Sequence, residues 1–228
     1  MIQRILPRSF RRWVRARSLR LADSLSDFDA TRYWERRYAA GGTSGEGSYG
    51  RLADFKAKVI NDFVVEHDVQ SAIEFGCGDG NQLSLLRVPR YIGLDVSASA
   101  VRRCIERYSA DSSKSFFLFD AKSFRDTSGV FVAELVLSLD VIYHLVSDEE
   151  FEAYMRHACA ASRRYLMLYT TDVDSAEAGH QRHRAVSKWM QRRSDFVRVL
   201  RLENPYAGSE DGQERSDAAF FIYERVAP

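Results

Sequence analysis

Short apolar runs alternate with amphipathic helical patterns along most of the chain after residue 70. Each run has the length of a buried strand, and each helical pattern repeats its apolar residues at intervals of three or four. Two parallel strands need a crossover connection between them, and a helix is its usual form. The alternation therefore predicts a largely parallel α/β sheet.

The predicted elements form one regular series. Strands are predicted at residues 71–75, 90–94, 115–119, 134–139, 165–170, 196–201 and 219–225, and helices at 27–40, 51–67, 80–87, 98–108, 148–161 and 183–193. Only a polar loop separates the last two strands, so we expect an antiparallel hairpin at one edge of the sheet. The expected fold class is α/β: a Rossmann-like, seven-stranded, mostly parallel sheet with an antiparallel last strand, helices on both faces and an N-terminal helical cap.

The beginning of the chain has a different pattern. Residues 1–20 contain seven arginines and no acidic residue, with apolar residues between them at roughly helical spacing. We interpret residues 1–26 as a basic helical arm that packs on the main domain or on a second subunit, which would give a homodimer. An anionic membrane surface and a mobile tail are the alternatives. Residues 27–228 are predicted to be one domain, with a cap at 27–69 and the sheet core at 70–228.

Composition narrows the class of protein. The 228 residues include 33 Lys+Arg and 32 Asp+Glu, a net charge of +1 that argues against a nucleic-acid partner. No apolar run reaches the length of a membrane-spanning helix. Three widely spaced cysteines support neither a disulfide framework nor a CxxC metal site, so a reduced, cytoplasmic location is expected.

The segment AIEFGCGDGNQLSLL, residues 72–86, carries the strongest functional signal. Gly76, Gly78 and Gly80 follow the first strand directly, where the absence of side chains lets a ligand approach the backbone. Ligands of open parallel sheets bind at the carboxyl ends of the strands. The dinucleotide fingerprint GxGxxG is not met, because Asn81 stands where its third glycine would fall, and no P-loop motif occurs.

Carboxylates decide which ligand suits this loop. Glu74 and Asp79 would repel a pyrophosphate but would attract a cationic ligand such as S-adenosylmethionine (SAM). Asp95 ends the second strand, where a carboxylate can accept hydrogen bonds from both ribose hydroxyls. Asp120 ends the third strand, where it can accept from the adenine amino group. For any single strand-end Asp, helix capping is the competing interpretation.

Taken together, ExGCGDG, GLD, FDA and SLDVIYHL resemble the class I SAM-dependent methyltransferases over residues 70–226. The resemblance implies their seven-stranded fold and a SAM site. The residues expected at the cofactor are Tyr33, Tyr38, Glu74, Gly76, Gly78, Asp79, Asn81, Asp95, Val96, Asp120, Ala121 and Leu139. In addition, YWERRYAAGGTSGEGSYGRL resembles the cap of bacterial members associated with sugar and polysaccharide methylation, including the mycobacterial methylmannose polysaccharide methyltransferases.

The methyl acceptor is expected beyond the ends of the fourth and fifth strands. His144 is the first candidate for a general base, because a hydroxyl acceptor must lose its proton. Asp140 and Tyr169 complete the predicted catalytic group. Asp140, Asp172 and Asp174 could instead supply oxygen ligands to Mg²⁺.

The segment HQRHR, residues 180–184, allows three interpretations. His180 and His183 could bind a metal if the segment is helical, the segment could form a polar cover over the acceptor, or it could be a solvated helix start. The sequence therefore predicts a SAM-dependent O-methyltransferase acting on a small sugar or oligosaccharide, with a mannoside as the suspected acceptor. N-methylation of a small amine and a non-catalytic protein that binds SAM or its product are the alternatives.

Overall fold

The computed structural model describes residues 28–176, 181–208 and 216–226. The predicted basic arm at 1–26 lies outside the described residues, as does His180. None of the helices in the described ranges has the length and apolar character that crossing a membrane requires.

A seven-stranded sheet forms the centre of the molecule. Its strands are β1 Ser71–Phe75, β2 Arg90–Asp95, β3 Lys114–Leu118, β4 Ala133–Leu139, β5 Ser162–Thr170, β8 Phe196–Glu203 and β9 Ala219–Arg225. They lie in the order β3-β2-β1-β4-β5-β9-β8, and β6 Ser175–Ala176 pairs with β7 Arg182–His183 in a separate small sheet. The first five strands are parallel, and β9 is antiparallel to both β5 and β8. The predicted fold class, including the hairpin at one edge, is confirmed.

Within the described ranges, five α-helices surround the sheet. They are α1 Ala30–Ala39, α2 Gly50–Glu66, α3 Ala98–Arg107, α4 Asp148–Ala161 and α5 Val186–Met190. Side-chain caps start three of them: Asp29 accepts from the backbone N–H of Arg32, Ser97 from Ala100 and Ser147 from Glu150. Short 3₁₀ turns occupy Glu46–Ser48, Gln82–Leu85 and Ile142–His144.

Alternating strand residues build a separate apolar core on each face of the sheet. Ile73 and Val136 belong to the core on one face, which α4 and α5 cover through residues such as Met155 and Trp189. Residues next to them in the chain turn to the opposite face and pack with α2 and α3. That second core includes Ala72, Leu135, Ile60, Phe63 and Cys104. Helices therefore cover both faces of the sheet.

Two predicted helices are shorter than the pattern indicates. The helix expected at 80–87 is only the 3₁₀ turn Gln82–Leu85. A helix that started after Gly80 could not be longer than about two turns, because Pro89 would end it. The helix expected at 183–193 is confined to Val186–Met190, since Arg182–His183 pairs as a strand instead. The apolar spacing in these segments indicates which side chains are buried, and side chains can be buried from a 3₁₀ turn or a short helix as well as from a long helix.

The strand order opens a crevice beside β1. The chain passes from β1 outward through β2 to β3 and then returns to β4 on the other side of β1. The connections leaving β1 and β4 at their carboxyl ends therefore diverge to opposite sides. Ligands of open α/β sheets bind at such a switch point.

The segment 28–49, here called the cap segment, is bound to the sheet at this crevice. On α1, Glu35 accepts hydrogen bonds from Ser97 Oγ at 2.6 Å and from Ser99 N at 3.0 Å and Ser99 Oγ at 2.6 Å. These bonds lower the pKa of Glu35 to about 2, the bond from Ser97 contributing most. Arg103 binds the same segment by donating to the backbone oxygens of Tyr38 and Gly42.

Replacing Glu35 with Ala is expected to destabilise the fold by about 2 kcal/mol, the typical contribution of hydrogen bonds to a charged group. The folded-state pKa lies below the ordinary value of 4.5, so this stabilisation is present above about pH 4.5 and is lost as the pH falls toward 2. Urea denaturation at pH 7 and pH 3 measures both effects. Glu106→Ala, an exposed site on α3, is the matched control. An equal loss of stability in Glu35→Ala and Glu106→Ala would contradict the stabilising role given to the hydrogen bonds of Glu35.

Candidate functional site

A cavity of about 360 Å³ lies at the carboxyl ends of β1, β2 and β4, beneath the cap segment. Of the residues predicted for the site, those that line it are Tyr33, Tyr38, Glu74, Gly76, Gly78, Asp95, Val96, Ala121, Leu139, Asp140 and His144. Asp79, Asn81, Asp120, Tyr169, Asp172 and Asp174 do not line it. The fold therefore brings together residues that are more than 100 positions apart in the chain.

The glycine loop forms the floor of the cavity. Gly76 has φ +86° and Gly78 has φ +58°, both in the left-handed region that favours glycine. A Cβ atom at Gly76 would lie 2.3 Å from Val141 Cγ2, and one at Gly78 would lie 2.3 Å from Ser44 Oγ. The loop thus needs glycine for two reasons, its backbone conformation and the close approach of neighbouring segments.

Asp95 joins the end of β2 to this loop. Its side chain is 6% exposed, and Oδ2 accepts from Gly78 N at 2.9 Å while Oδ1 accepts from Ser97 N at 2.8 Å. Burial raises the pKa of Asp95 to about 6 although both hydrogen bonds act in the opposite direction. Each oxygen retains acceptor capacity for a ligand hydroxyl.

Glu74 is a second buried carboxylate, on β1 below the loop. It is 2% exposed and accepts a hydrogen bond from Tyr91 OH. Burial raises the pKa of Glu74 to about 7, while Tyr91 and the positive charge of Lys56 lower it. A cationic group in the cavity would favour the ionised form of this carboxylate.

Asp79 and Asn81 connect the loop to the cap segment rather than lining the cavity. Asp79 Oδ2 accepts from Ser44 N at 2.9 Å and from Tyr49 OH at 2.8 Å, and Asn81 Nδ2 donates to Ser48 O at 2.8 Å. Burial raises the pKa of Asp79, but the hydrogen bonds outweigh it and leave the pKa below its usual value. Both residues hold the roof of the cavity onto its floor.

The two residues predicted at the end of β3, Asp120 and Ala121, lie in different surroundings. Asp120 is exposed, and its Oδ1 accepts from the backbone N–H groups of Lys122 and Ser123. Ala121 is buried and lines the cavity. The neighbouring carboxylate that does line the cavity is Glu150, whose pKa is raised by burial.

Aromatic rings form one wall of the cavity. The Trp34 ring is stacked 5.8 Å from that of Tyr38 and meets the His144 ring edge-on at 5.1 Å between centroids. Tyr143 lies 4.7 Å from His144 and lines the same wall. The cap segment and the turn after β4 therefore meet at His144.

Asp140 forms an ion pair with the buried Lys56 that sequence analysis missed. Lys56 Nζ on α2 donates to its Oδ2 at 2.6 Å, and Tyr143 OH donates to its Oδ1 at 2.9 Å. Asp140 itself has φ +60°, an uncommon conformation for a residue other than glycine. Lys56 falls among the apolar positions of α2, and that position is the one signal in the sequence that could have indicated a buried role.

The remaining predicted catalytic and metal-binding residues lie elsewhere. Tyr169 is buried behind Lys56, whose Nζ lies 5.3 Å from its ring centroid. Asp172 caps α5 by accepting from Ser187 N, and Asp174 accepts from Ala185 N and Lys188 Nζ.

The predicted Mg²⁺ ligands are not brought together. Among the described residues, no group of three His, Cys, Asp or Glu side chains could hold a metal ion. His183 is paired through Nδ1 with Thr171 Oγ1 at 2.6 Å and lies on β7 rather than on a helix.

Negative charge dominates the cavity. Of its described lining residues, the acidic ones are Glu46, Glu74, Asp95, Asp140 and Glu150, and the lysines and arginines are Arg37 and Lys56. Since Lys56 and Asp140 neutralise each other, acidic side chains remain in excess over Arg37, and Glu74, with a pKa of about 7, is partly protonated near neutral pH. Such a cavity attracts a ligand with positive charge.

Comparison with known families shows which family the chain belongs to. Residues 44–204 match the family described as "Methyltransferase domain". The chain belongs to the class I SAM-dependent methyltransferases. A search of curated proteins finds no match to this methyltransferase.

Solved structures share the fold of this methyltransferase at low sequence identity. One is the N-methyltransferase NodS from Bradyrhizobium japonicum WM9 in complex with S-adenosyl-L-homocysteine (SAH): 15% identity, TM-score 0.65, covering 88% of this chain and 100% of that one. Magnesium protoporphyrin IX methyltransferase from Synechocystis PCC 6803 with bound SAH has 13% identity and TM-score 0.62 over 87% and 100%. The methyltransferase domain of bacterial CtHen1 has 18% identity and TM-score 0.61 over 78% and 100%. None of these three is described as acting on a sugar.

The residues of the cavity fit SAM. Asp95 has acceptor capacity for a ribose diol, and it lines the cavity beside Gly76 and Gly78 of the glycine loop. Gln82 lines the cavity and is 4% exposed, and its Oε1 has no hydrogen-bond partner within the described chain. An unpaired buried acceptor and an acidic excess suit the ammonium and sulfonium groups of the cofactor.

The affinity for SAH is expected to fall as the pH drops through 6, because the ionised Asp95 accepts hydrogen bonds from the ribose more strongly. With a pKa of about 6, about one tenth of this carboxyl is ionised at pH 5, which weakens binding by about tenfold relative to pH 7.5. Calorimetry of the parent, Asp95→Asn and Glu74→Gln checks this. The pH dependence between 7 and 5 should persist in Glu74→Gln and become weaker in Asp95→Asn, where the Glu74 carboxyl still titrates; an undiminished dependence in Asp95→Asn would contradict the assignment.

Proposed function

We propose that this methyltransferase transfers a methyl group to a hydroxyl of a small sugar or oligosaccharide, with a mannoside as the first acceptor to test. The observation that carries the proposal is the contact between His144 and Trp34 at the cavity wall. The imidazole of His144, which can accept a proton, therefore lies beside the flat apolar surface of an aromatic ring.

Aromatic surfaces suit a sugar because its C–H face is apolar while its hydroxyls need polar partners. Tyr33, Trp34 and Tyr143 all line the cavity near His144. Such a lining is typical of sites that bury a neutral small molecule and orient it through few polar groups. The resemblance of the cap segment to caps of sugar methyltransferases agrees with this acceptor.

The chemistry divides between the cofactor and the chain. When bound, SAM supplies an electrophilic methyl group, so that the acceptor oxygen forms a new O–C bond as the C–S bond breaks and SAH leaves as a neutral thioether. His144 accepts the proton that the acceptor hydroxyl loses. The aromatic wall orients the hydroxyl, and the cap segment excludes water from the cavity.

N-methylation of a small amine is the second candidate. The acidic excess of the cavity favours it, since a protonated amine would be attracted to the same carboxylates that suit the cofactor. A general base is needed in that case as well, because only the neutral amine is a nucleophile.

Label transfer from [methyl-³H]SAM separates the two candidates. Methyl α-mannoside and short mannosides should accept label, whereas simple amines that carry no hydroxyl should not. Label appearing in the amines alone would replace the proposed acceptor class, and label in neither class would reject both.

His144→Ala is expected to lower kcat by about 10²–10⁴-fold, the usual contribution of a general base. The SAH dissociation constant should stay within threefold of the parent value, because the imidazole serves the acceptor. His67→Gln, at the far end of α2, is the matched control and should leave kcat unchanged. A parent-like kcat in His144→Ala at every pH would remove His144 from the chemistry.

A further inference from the structure

Lys56 is the most deeply buried charge of the cavity wall. It is 0% exposed on α2 and yet lines the cavity. A buried ammonium is costly unless charges and hydrogen bonds compensate it. The fold retains it at this position, where an apolar residue would extend the buried face of the helix.

One of the three N–H donors of the Lys56 ammonium group has a hydrogen-bond partner. Nζ donates to Asp140 Oδ2 at 2.6 Å, and the Tyr169 ring lies 5.3 Å away on one side. This is its one hydrogen bond within the described chain. Two donors therefore remain for a ligand oxygen.

Asp140 is held in a fixed direction by its neighbours. Its oxygens accept from Lys56 and Tyr143, its backbone N–H donates to Tyr169 O at 3.0 Å, and its φ is +60°. The strand end, α2 and the turn that carries His144 thus meet at this carboxylate. A backbone conformation of this kind costs free energy, and it persists where the surrounding contacts hold it in place.

We propose that the Lys56–Asp140 pair is the acceptor-binding end of the cavity and that it selects an oxygen acceptor over a cationic amine. Lys56 donates to the acceptor oxygen and positions it toward His144. Its charge also cancels that of Asp140, which would otherwise attract an ammonium group. The inference rests on the proposed function and adds the residue that sets its acceptor class.

Removing one charge of the pair should reverse the preference. Lys56→Met leaves the Asp140 carboxylate unpaired beside the cavity, so a cation gains a partner. Asp140→Asn leaves the Lys56 ammonium unpaired, so an anion gains one, and Asn tolerates the left-handed backbone at this position. Lys58→Met and Asp62→Asn change an exposed pair on the same helix and are the matched controls.

The test uses the full chain saturated with SAH and two probes, methylammonium and formate, titrated by NMR. Methylammonium should bind Lys56→Met at least tenfold more tightly than the parent, and formate should bind Asp140→Asn at least tenfold more tightly. Lys56→Arg keeps the charge and should gain neither. Retained SAH binding reports that each variant is folded, and either variant alone suffices if the other does not fold.

The outcomes distinguish this inference from the proposed function. Probe affinities equal to the parent in both variants, or gains that appear without SAH and vanish with it, would overturn the inference by placing the pair outside the acceptor space. In turnover assays Lys56→Met should raise the ratio of amine to mannoside methylation at least tenfold. If the parent methylates no hydroxyl, the proposed function fails, while the probe titrations still decide the role of the pair.

Discussion

The hydrogen bond from Gly78 N to the Asp95 carboxylate is the interaction on which the site depends. It joins the loop after β1 to the end of β2, so it fixes the floor of the cavity and the charge beside it at once. Because the carboxylate is buried, its backbone donors are what hold it in place. The parallel sheet makes this possible by bringing the two strand ends to the same edge.

The roof of the cavity depends on the same edge of the sheet. Glu35 binds the residues that start α3, directly after Asp95, and Asp79 binds the cap segment from within the glycine loop. Each contact joins the cap segment to a loop that already serves the floor. The floor and the aromatic wall of the cavity are therefore one connected structure, and a change in the cap segment reaches both.

Local pattern was sufficient to predict most of the fold and the floor of the site. The strand runs, the glycine loop and Asp95 are each visible within a few residues, and the strand-end rule places them together. Lys56 and Glu35 were not predictable in the same way, because their partners lie 84 and 62 positions away. Asp172 and Asp174 show the converse: a carboxylate after a strand serves as a helix cap as readily as it binds a ligand, and only the structure shows which.

Calorimetry of SAH binding to Gly78→Ala tests directly whether the Gly78–Asp95 hydrogen bond holds the site together. The added Cβ would lie 2.3 Å from Ser44 Oγ and disturb the donor that holds Asp95, whereas Gly129→Ala, at φ +66°, has the same backbone strain with open space around it. We expect the parent and Gly129→Ala each to bind one SAH, and Gly78→Ala to bind it at least tenfold more weakly. Equal affinity in all three proteins, or no binding by the parent, would contradict it.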